Sequence, residues 1–396
     1  MGIVLAFSGG LDTSFCVPYL REKYDESVFT VTVDTGASLD ETALKARSKK
    51  LGAEKHFHID ARQTLYEDYL KFLIMGNVLR GGVYPLCVGA ERVVQALEVV
   101  KIARQVGARA IAHGSTGAGN DQVRFDSVVH LFTDEMELIT PIRDEGLTRQ
   151  DTTGFLLERG FSVPEKTTRY SINEGLWGTT IGGEETLGTT KPLPNEAYPH
   201  TVPAAEAPEA GLELRLQFEN GLPIALDGEE LPPVALITKL ASVGAEHGVG
   251  RNIHVGDTIL GLKGRIGFEA PAPLILITAH RELEKLVLTK WQRYQKDQLS
   301  DFYGMLLHEG QYFDPVMRDI EAFLTSSQHG VTGSVFVRLY KGNISVQGCE
   351  SPYSMFDTGV ATYGEETALW DGPDARSFSK LSGLQAYLAY KARSKK

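Results

Sequence analysis

The chain has 396 residues, with 40 Lys and Arg against 51 Asp and Glu, and therefore a formal net charge of −11. This acidic balance disfavours a protein that binds nucleic acid or anionic membranes through a broad basic surface, although it allows a local basic pocket for a nucleotide. The length and the 42% hydrophobic content allow a full core, which excludes the disordered and fibrous classes.

Cysteines and the N-terminus indicate the compartment. Cys16, Cys87 and Cys349 are odd in number and far apart, which predicts free thiols rather than a zinc site or a disulfide framework. The first residues lack the basic flank of a signal peptide, and no apolar run is long enough to cross a bilayer. We therefore expect a cytoplasmic protein.

Short apolar strands alternate with helices over residues 1–165. The predicted strands are 3–7, 28–33, 57–59, 109–112 and 137–139. The predicted helices are 13–24, 39–51, 63–79 and 91–106. This alternation is typical of a parallel sheet with helices on both faces, so the expected class is α/β.

Beyond residue 165 the pattern changes. Glycines and prolines crowd residues 182–203, which predicts a loop. Strands and helices are then segregated, as in an α+β domain. The predicted strands are 212–218, 253–260, 264–268, 331–339 and 343–347, and the predicted helices are 234–246, 278–298 and 378–395. We expect three domains, with bounds 1–165, 166–365 and 366–396.

A polar, glycine-containing segment, Ser8-Gly9-Gly10-Leu11-Asp12-Thr13-Ser14, lies between the first predicted strand and helix. Its glycines let the backbone approach a ligand, and the helix start favours an anion. The Gly-Lys-Ser/Thr ending of a Walker A loop is absent, and so is a GxGxxG pattern. The segment therefore predicts a site for a departing pyrophosphate. Mg²⁺ would share its charge, with Asp12 as the candidate magnesium ligand or phosphate-orienting residue.

A second motif, HGSTGAGNDQVRFD at residues 113–126, follows the fourth predicted strand and leaves the same edge of the sheet. Asn120, Asp121, Gln122 and Arg124 place amide, acid and guanidinium groups within five residues, which suits a small zwitterion. A flexible surface loop is the alternative that this motif alone leaves open.

The two motifs, in this order and separation, resemble the argininosuccinate synthase family of the ATP-pyrophosphatase superfamily, over nearly the whole chain. The resemblance implies a Rossmann-like nucleotide-binding domain of ATP-pyrophosphatase type, an α+β synthetase domain and a C-terminal oligomerisation helix. It implies an arginine-biosynthesis ligase that joins L-citrulline and L-aspartate through a citrullyl adenylate, using ATP and Mg²⁺ and releasing AMP and pyrophosphate. It also implies a homotetramer that acts on small molecules, with no nucleic-acid or membrane partner.

The resemblance also assigns residues to each substrate. ATP would contact Ala6, Phe7, Ser8, Gly9, Gly10, Leu11, Asp12, Thr13, Ser14, Val33 and Gly114. Aspartate would contact Thr116, Asn120 and Asp121, and citrulline would contact Tyr84, Asn120, Arg124, Ser171 and Thr180. Asp12, Asp121 and Arg124 are the candidate catalytic residues, without a fixed metal site on the protein. Asp121 and a substrate carboxylate are both candidates for accepting the proton of the aspartate amine.

Three positions that usually contact citrulline in the family differ here: Gly89 replaces Ser, Gly256 replaces Glu and Phe268 replaces Tyr. Ala118 also replaces the usual Lys of the second motif. An unpaired buried cation costs about 3–5 kcal/mol, so the missing acid suggests a substrate with a blocked α-amine, such as an N-acylcitrulline. The alternative is free citrulline recognised through another residue, with Asp257 as the nearest candidate.

Other function classes fit less well. An RNA-modifying enzyme with the same type of loop would need cysteine pairs and a basic face. An amide-forming synthetase fed by a glutaminase would need a nucleophilic cysteine domain. A non-catalytic nucleotide sensor stays open as the remotest alternative, and the release of pyrophosphate would distinguish it from a ligase.

Overall fold

The computed structural model describes residues 2–163, 169–363 and 367–394, and it places the predicted parallel sheet at the N-terminal end. Its five strands lie in the order β3-β2-β1-β4-β5 and are parallel throughout. They are β1 (Gly2–Ala6), β2 (Ser27–Asp34), β3 (Lys55–Asp60), β4 (Ala110–Ala112) and β5 (Glu137–Ile139). The inner strands are nearly continuous runs of buried apolar residues, as expected for a sheet covered on both faces.

The helices of this region connect the parallel strands. They are α1 (Leu11–Tyr24), α2 (Glu41–Lys50), α3 (Arg62–Leu65), α4 (Lys71–Met75), α5 (Gly89–Gln105), α6 (Asp121–Phe132), α7 (Pro141–Asp144) and α8 (Arg149–Glu158). The chain moves outward from β1 to β2 and β3, and then returns to place β4 on the other side of β1. The loops after β1 and β4 therefore diverge from adjacent strands, which is where open α/β sheets bind ligands.

Two antiparallel sheets follow. One has the order β10-β9-β8-β13-β14 and the other the order β11-β12-β7-β6. Their strands are β6 (Ser171–Gly175), β7 (Gly178–Gly182), β8 (Leu212–Glu219), β9 (Leu222–Leu226), β10 (Glu229–Glu230), β11 (Arg251–Asp257), β12 (Lys263–Glu269), β13 (Gly333–Tyr340) and β14 (Asn343–Glu350). The helices are α9 (Pro233–Glu246), α10 (Pro271–Val287), α11 (Lys290–His308) and α12 (Pro315–Ser327). One continuous cluster of buried side chains joins these sheets to one face of the parallel sheet.

The structure corrects several predicted elements. The helix predicted over 63–79 is α3 and α4 joined by a π-helical turn at Tyr66–Leu70, and it ends at Met75. The helix predicted over 278–298 is two helices, because Leu288 is extended and Thr289 starts α11 with a capping box. The predicted elements also lack α6, which begins at Asp121 within the second motif.

Residues from Tyr353 onward form a second compact unit. Its helices are α13 (Gly372–Ser382) and α14 (Leu384–Arg393), so the single helix predicted over 378–395 is interrupted at Gly383, and its end at Lys395 lies outside the described residues. An Asp371–Asp374 capping box starts α13 earlier than the sequence indicated. In the part of the chain that the structure describes, no helix is long and apolar enough to cross a membrane.

Candidate functional site

The turn between β1 and α1 presents backbone N–H groups and hydroxyls. Gly9 has a φ of +74°, which favours glycine. A Cβ at this position would also lie 2.5 Å from the Cδ2 atom of Leu44, so a larger residue would displace that side chain. Gly10 caps α1 without a side-chain hydrogen bond, which leaves the first N–H groups of the helix free for a ligand. The Oγ of Ser8 lies 3.2 Å from Oγ1 of Thr13. This arrangement is typical of an anion site.

The loop after β4 packs directly onto the start of α1. A Cβ on Gly114 would lie 3.3 Å from the carbonyl carbon of Asp12, so only glycine allows this approach without a shift. The preceding His113 is buried, and its Nε2 atom lies 2.8 Å from Asp126 Oδ1. Asp126 in turn accepts a hydrogen bond from Arg143 at 2.6 Å. The two motifs therefore face one space, with their backbones held in place.

Asp12 lies in the first turn of α1 and faces the cavity. Burial raises the pKa of its carboxyl, and the positive charge of Arg149 only partly offsets this. The carboxylate is thus partly desolvated and has no ion-pair partner within 4.0 Å among the described residues. A cation that arrives with a nucleotide would stabilise its charged form.

Asp121 is clamped by two arginines at the start of α6. Its Oδ2 accepts from Nε of Arg92 at 2.9 Å, and its Oδ1 accepts from Arg124 at 3.2 Å. Arg92 also donates to Oδ1 of Asn173 on β6 at 2.7 Å. Burial acts to raise the pKa of Asp121, but the two guanidinium groups outweigh it and hold the pKa below its usual value. Asp121 is therefore a stable carboxylate that links the second motif to β6.

A third group of side chains forms the other end of the cavity. The buried Tyr84 ring stacks on His254 with centroids 5.2 Å apart and also contacts Phe268. Arg124 donates twice to the main-chain oxygen of His308, at 3.0 and 2.8 Å, which fixes its guanidinium against the end of α11. This end therefore combines residues from α6, β11, β12 and α11.

The cavity has a volume of about 840 Å³ and unites residues from all these elements. Most of the sequence-predicted site residues line it: Ala6, Phe7, Ser8, Gly10, Leu11, Asp12, Thr13, Val33, Tyr84, Gly114, Thr116, Asn120, Asp121, Arg124, Ser171 and Thr180. Gly9 and Ser14 are not on its wall: Gly9 forms the turn, and Ser14 donates to the Gly9 oxygen while accepting from Arg47. Of the four unusual positions, Gly256 lines the cavity, whereas Gly89, Ala118 and Phe268 do not.

Sequence reasoning missed polar residues that line the cavity from distant parts of the chain: Arg80, Arg92, Gln95, Arg149, Tyr170, Asn173, Glu174, His254 and His308. Glu174 shows how they act, since it accepts from both the N–H and the Oγ of Ser38, at 3.1 and 2.8 Å, and so joins β6 to the loop after β2. These residues come from several separate segments, and none belongs to either motif. The sequence of α5 does not single out Arg92 either, because the helix also carries Glu91, Glu98, Lys101 and Arg104.

Comparisons with family models and with known proteins all match one family. The model of the arginosuccinate synthase N-terminal HUP domain matches residues 2–162, and that of the arginosuccinate synthase C-terminal domain matches residues 170–389. An argininosuccinate synthase from Methanocaldococcus jannaschii is 39% identical over 394 residues, 99% of this chain and 98% of its own. One from Dehalococcoides mccartyi is 41% identical over 388 residues, 98% of this chain and 95% of its own.

Proposed function

This chain belongs to the argininosuccinate synthase family, and from that membership we propose how its cavity performs the ligation. The activity is the ATP-dependent joining of citrulline and aspartate, which makes the chain a C–N bond-forming ligase of arginine biosynthesis. The names of the relatives favour neither the non-catalytic sensor nor the replacement of citrulline by another substrate. The assignment of residues to steps is our proposal.

ATP is bound at the switch point of the parallel sheet. The free N–H groups at the start of α1 and the hydroxyls of Ser8 and Thr13 hold the β- and γ-phosphates. Gly114 lets the loop after β4 reach the nucleotide, and Val33 at the end of β2 lines the space for the base. Without a Walker lysine, the loop holds pyrophosphate by neutral donors, which allows it to leave after the reaction.

Mg²⁺ fits the residues present at this end. One or two carboxylates together with phosphate oxygens are the usual ligands of nucleotide-bound Mg²⁺. Asp12 supplies such a carboxylate, partly desolvated and without an ion-pair partner among the described residues. When bound, the metal neutralises charge on the phosphates, and Asp12 would hold it there.

In the first step, the ureido oxygen of citrulline attacks the α-phosphorus of ATP, and the bond to pyrophosphate breaks. Ser171 and Thr180, on adjacent strands β6 and β7, line the cavity and hold the amino-acid end of citrulline. Arg124 is fixed by His308 and Asp121, so its guanidinium is oriented before the substrate arrives. The contribution of the protein is positioning and charge stabilisation, with no covalent intermediate on the chain.

In the second step, the aspartate amine attacks the ureido carbon and the bond to AMP breaks. Thr116 and Asn120 line the cavity beside Asp121 and bind the aspartate. Asp121 orients the amine rather than accepting its proton, because two guanidinium groups lower its pKa and make it a weak base. A substrate carboxylate then takes the proton.

The assembly and location of the protein complete the proposal. Residues 366–396 act as an oligomerisation tail of a cytoplasmic homotetramer, following a nucleotide-binding domain at 1–165 and a synthetase domain at 166–365. The apolar side chains on α13 and α14 support this role, since they are exposed within the chain: Phe378, Leu381, Leu384, Tyr387 and Leu388. Such a face is stabilised when a second subunit covers it.

One observation carries the functional assignment: both motifs meet at the β1–β4 switch point, in a cavity that β6 and β7 also line. The test is pyrophosphate release by the purified protein with ATP, Mg²⁺, citrulline and aspartate, with the organic product identified by mass spectrometry. We expect equal amounts of pyrophosphate, AMP and argininosuccinate. ATP binding without pyrophosphate release in the presence of all substrates would contradict the proposal.

A further inference from the structure

The end of the cavity away from the α1 loop is rich in cationic groups. Arg80, Arg124, His254 and His308 all line it, and Arg124 and the two histidines are almost fully buried. Arg80 Nη1 lies 2.7 Å from Nε2 of His308, which lies 3.2 Å from the main-chain oxygen of Asp257. These four side chains, which come from four separate segments, are called the basic wall below.

Arg80 is the unpaired charge of the basic wall. Its guanidinium donates to the main-chain oxygen of Asp257 at 2.9 Å. Among the described residues, no carboxylate lies within 4.0 Å of it, whereas Arg92 and Arg124 share Asp121. A guanidinium that faces a cavity without a counter-charge favours an anionic ligand, and its planar donors match a carboxylate.

The carboxylates of this end are already engaged. Asp121 is shared between Arg92 and Arg124, and Asp257 lies 2.5 Å from Nζ of Lys263. An ammonium group placed here would therefore meet two arginines and, among the described residues that line this end of the cavity, no unengaged carboxylate. Like charges repel strongly in a partly desolvated site, so the guanidinium groups of the basic wall disfavour a free α-amine.

The geometry of β11 leaves no room for an acidic side chain at residue 256 unless the ring of His254 moves. His254 and Gly256 lie on the same face of the strand, two residues apart. A Cβ on Gly256 would overlap Nε2 of His254, whose ring is held against Tyr84. The imidazole therefore occupies the space above residue 256, and its Nε2 is buried without a hydrogen-bond partner among the described residues.

The protonation of the histidines agrees with this arrangement. Burial, then Arg124 and Arg80, lower the pKa of His308 to about 3, and burial and Arg80 lower that of His254. Burial is the main reason why both rings stay neutral at neutral pH, and the positive charges of the neighbouring arginines act in the same direction. A bound anion would supply the missing negative charge.

We propose that the basic wall binds a carboxylate carried on the α-nitrogen of citrulline, so that the chain also ligates aspartate to Nα-acylcitrullines whose acyl group ends in a carboxylate. The amide removes the ammonium charge, and the distal carboxylate pairs with Arg80. This extension rests on the proposed function and leaves its two bond-forming steps unchanged, since the acyl group takes no part in them.

Three ureido substrates separate the contributions of charge. Free citrulline has the ammonium, Nα-acetylcitrulline lacks it, and Nα-succinylcitrulline lacks it and adds a carboxylate. We expect kcat/KM, measured by pyrophosphate release with ATP, Mg²⁺ and aspartate, to be at least about tenfold higher for the succinyl than for the acetyl substrate. Mass spectrometry should show the matching Nα-succinylated argininosuccinate. A succinyl substrate no better than the acetyl one would overturn the proposal.

Arg80→Gln tests the residue that carries the proposal. We expect the succinyl-to-acetyl ratio of kcat/KM to fall to within about twofold of one. The control is Lys239→Gln, which removes an exposed cation paired with Glu229 on another part of the surface and should leave the ratio unchanged. An unchanged ratio in Arg80→Gln would overturn the role of Arg80, even if both rates fall.

The same assays distinguish this inference from the function beneath it. Turnover of free citrulline to argininosuccinate, with no turnover of the succinyl substrate, would overturn the inference and leave the ligation standing. No pyrophosphate release with any of the three substrates would overturn the proposed function itself.

Discussion

The two ends of the cavity are built in different ways. The nucleotide end consists of backbone: two glycine-containing loops leave adjacent parallel strands, and Gly114 packs against Asp12 at the start of α1. The opposite end consists of long side chains from separate segments, held by hydrogen bonds such as those from Arg124 to His308. The first end is suited to phosphates, whereas the second is suited to changes of substrate through a few side chains.

The strongest test of this difference is at the junction of the two ends. Asp121→Asn leaves Arg92 and Arg124 without their shared carboxylate, and we expect kcat/KM for aspartate to fall by about 10³-fold, in line with the loss of a positioning charge. We also expect a loss of about 3 kcal/mol in the free energy of unfolding. Steady-state kinetics and urea unfolding measure the two effects. Activity within tenfold of the wild type would contradict the clamp described for this carboxylate.

At the nucleotide end, Asp12→Asn removes the carboxylate while keeping the size of the side chain. We expect kcat to fall about 10²-fold, with the defect partly relieved at high Mg²⁺ concentration, because the metal loses a ligand. A titration of initial rate against Mg²⁺ checks this. The substitution Asp314→Asn, at the N-cap of α12 and outside the cavity lining, serves as the control. A normal Mg²⁺ dependence in Asp12→Asn would exclude the proposed metal contact.

At the side-chain end, Gly256→Ala tests how tightly His254 is packed. The added methyl would overlap Nε2 of His254 and push the ring away from Tyr84. We expect KM for the ureido substrate to rise about fivefold, with KM for ATP unchanged, and a cost of roughly 1 kcal/mol in stability. Gly348→Ala, in strand β14, where a Cβ would meet no atom within 4 Å, controls for adding a methyl group to a strand glycine. Equal effects of both variants on KM would contradict the specific role of the His254 ring.

The last expected effect is on stability in acid and leaves activity at neutral pH aside. The pKa of His308 is about 3 in the folded chain against 6.5 ordinarily, so the unfolded chain takes up a proton that the folded chain refuses. The free energy of unfolding is therefore unaffected by His308 titration above pH 6.5, and it decreases as the pH falls towards 3, because the unfolded chain is protonated first. Between pH 7 and pH 4.5, we expect His308→Gln to lose roughly 2 kcal/mol less stability than the wild type. Urea unfolding at the two pH values measures this, and parallel losses would contradict it.

The difference between the two ends also explains what the sequence could predict. The SGGLDTS loop and the 113–126 motif are contiguous, so their chemistry and their common sheet edge follow from order alone. Arg80 and His308 become neighbours only through packing between α11 and distant segments, and nothing around either residue indicates a ligand. The interruption at Leu288 had a readable signal, since Thr289 and Gln292 have the spacing of a capping box. The π-helical turn at Tyr66–Leu70 had none.

In the mechanism we propose, citrulline reacts through its ureido oxygen at the α-phosphorus of an ATP held by the β1–α1 loop. The most direct measurement uses citrulline labelled with ¹⁸O in the ureido group, followed by mass spectrometry of the AMP that the protein releases. We expect each AMP to carry one ¹⁸O in its phosphate, because the oxygen stays with the phosphorus when aspartate displaces it from carbon. AMP without the label would show that a different bond is formed and would contradict the mechanism.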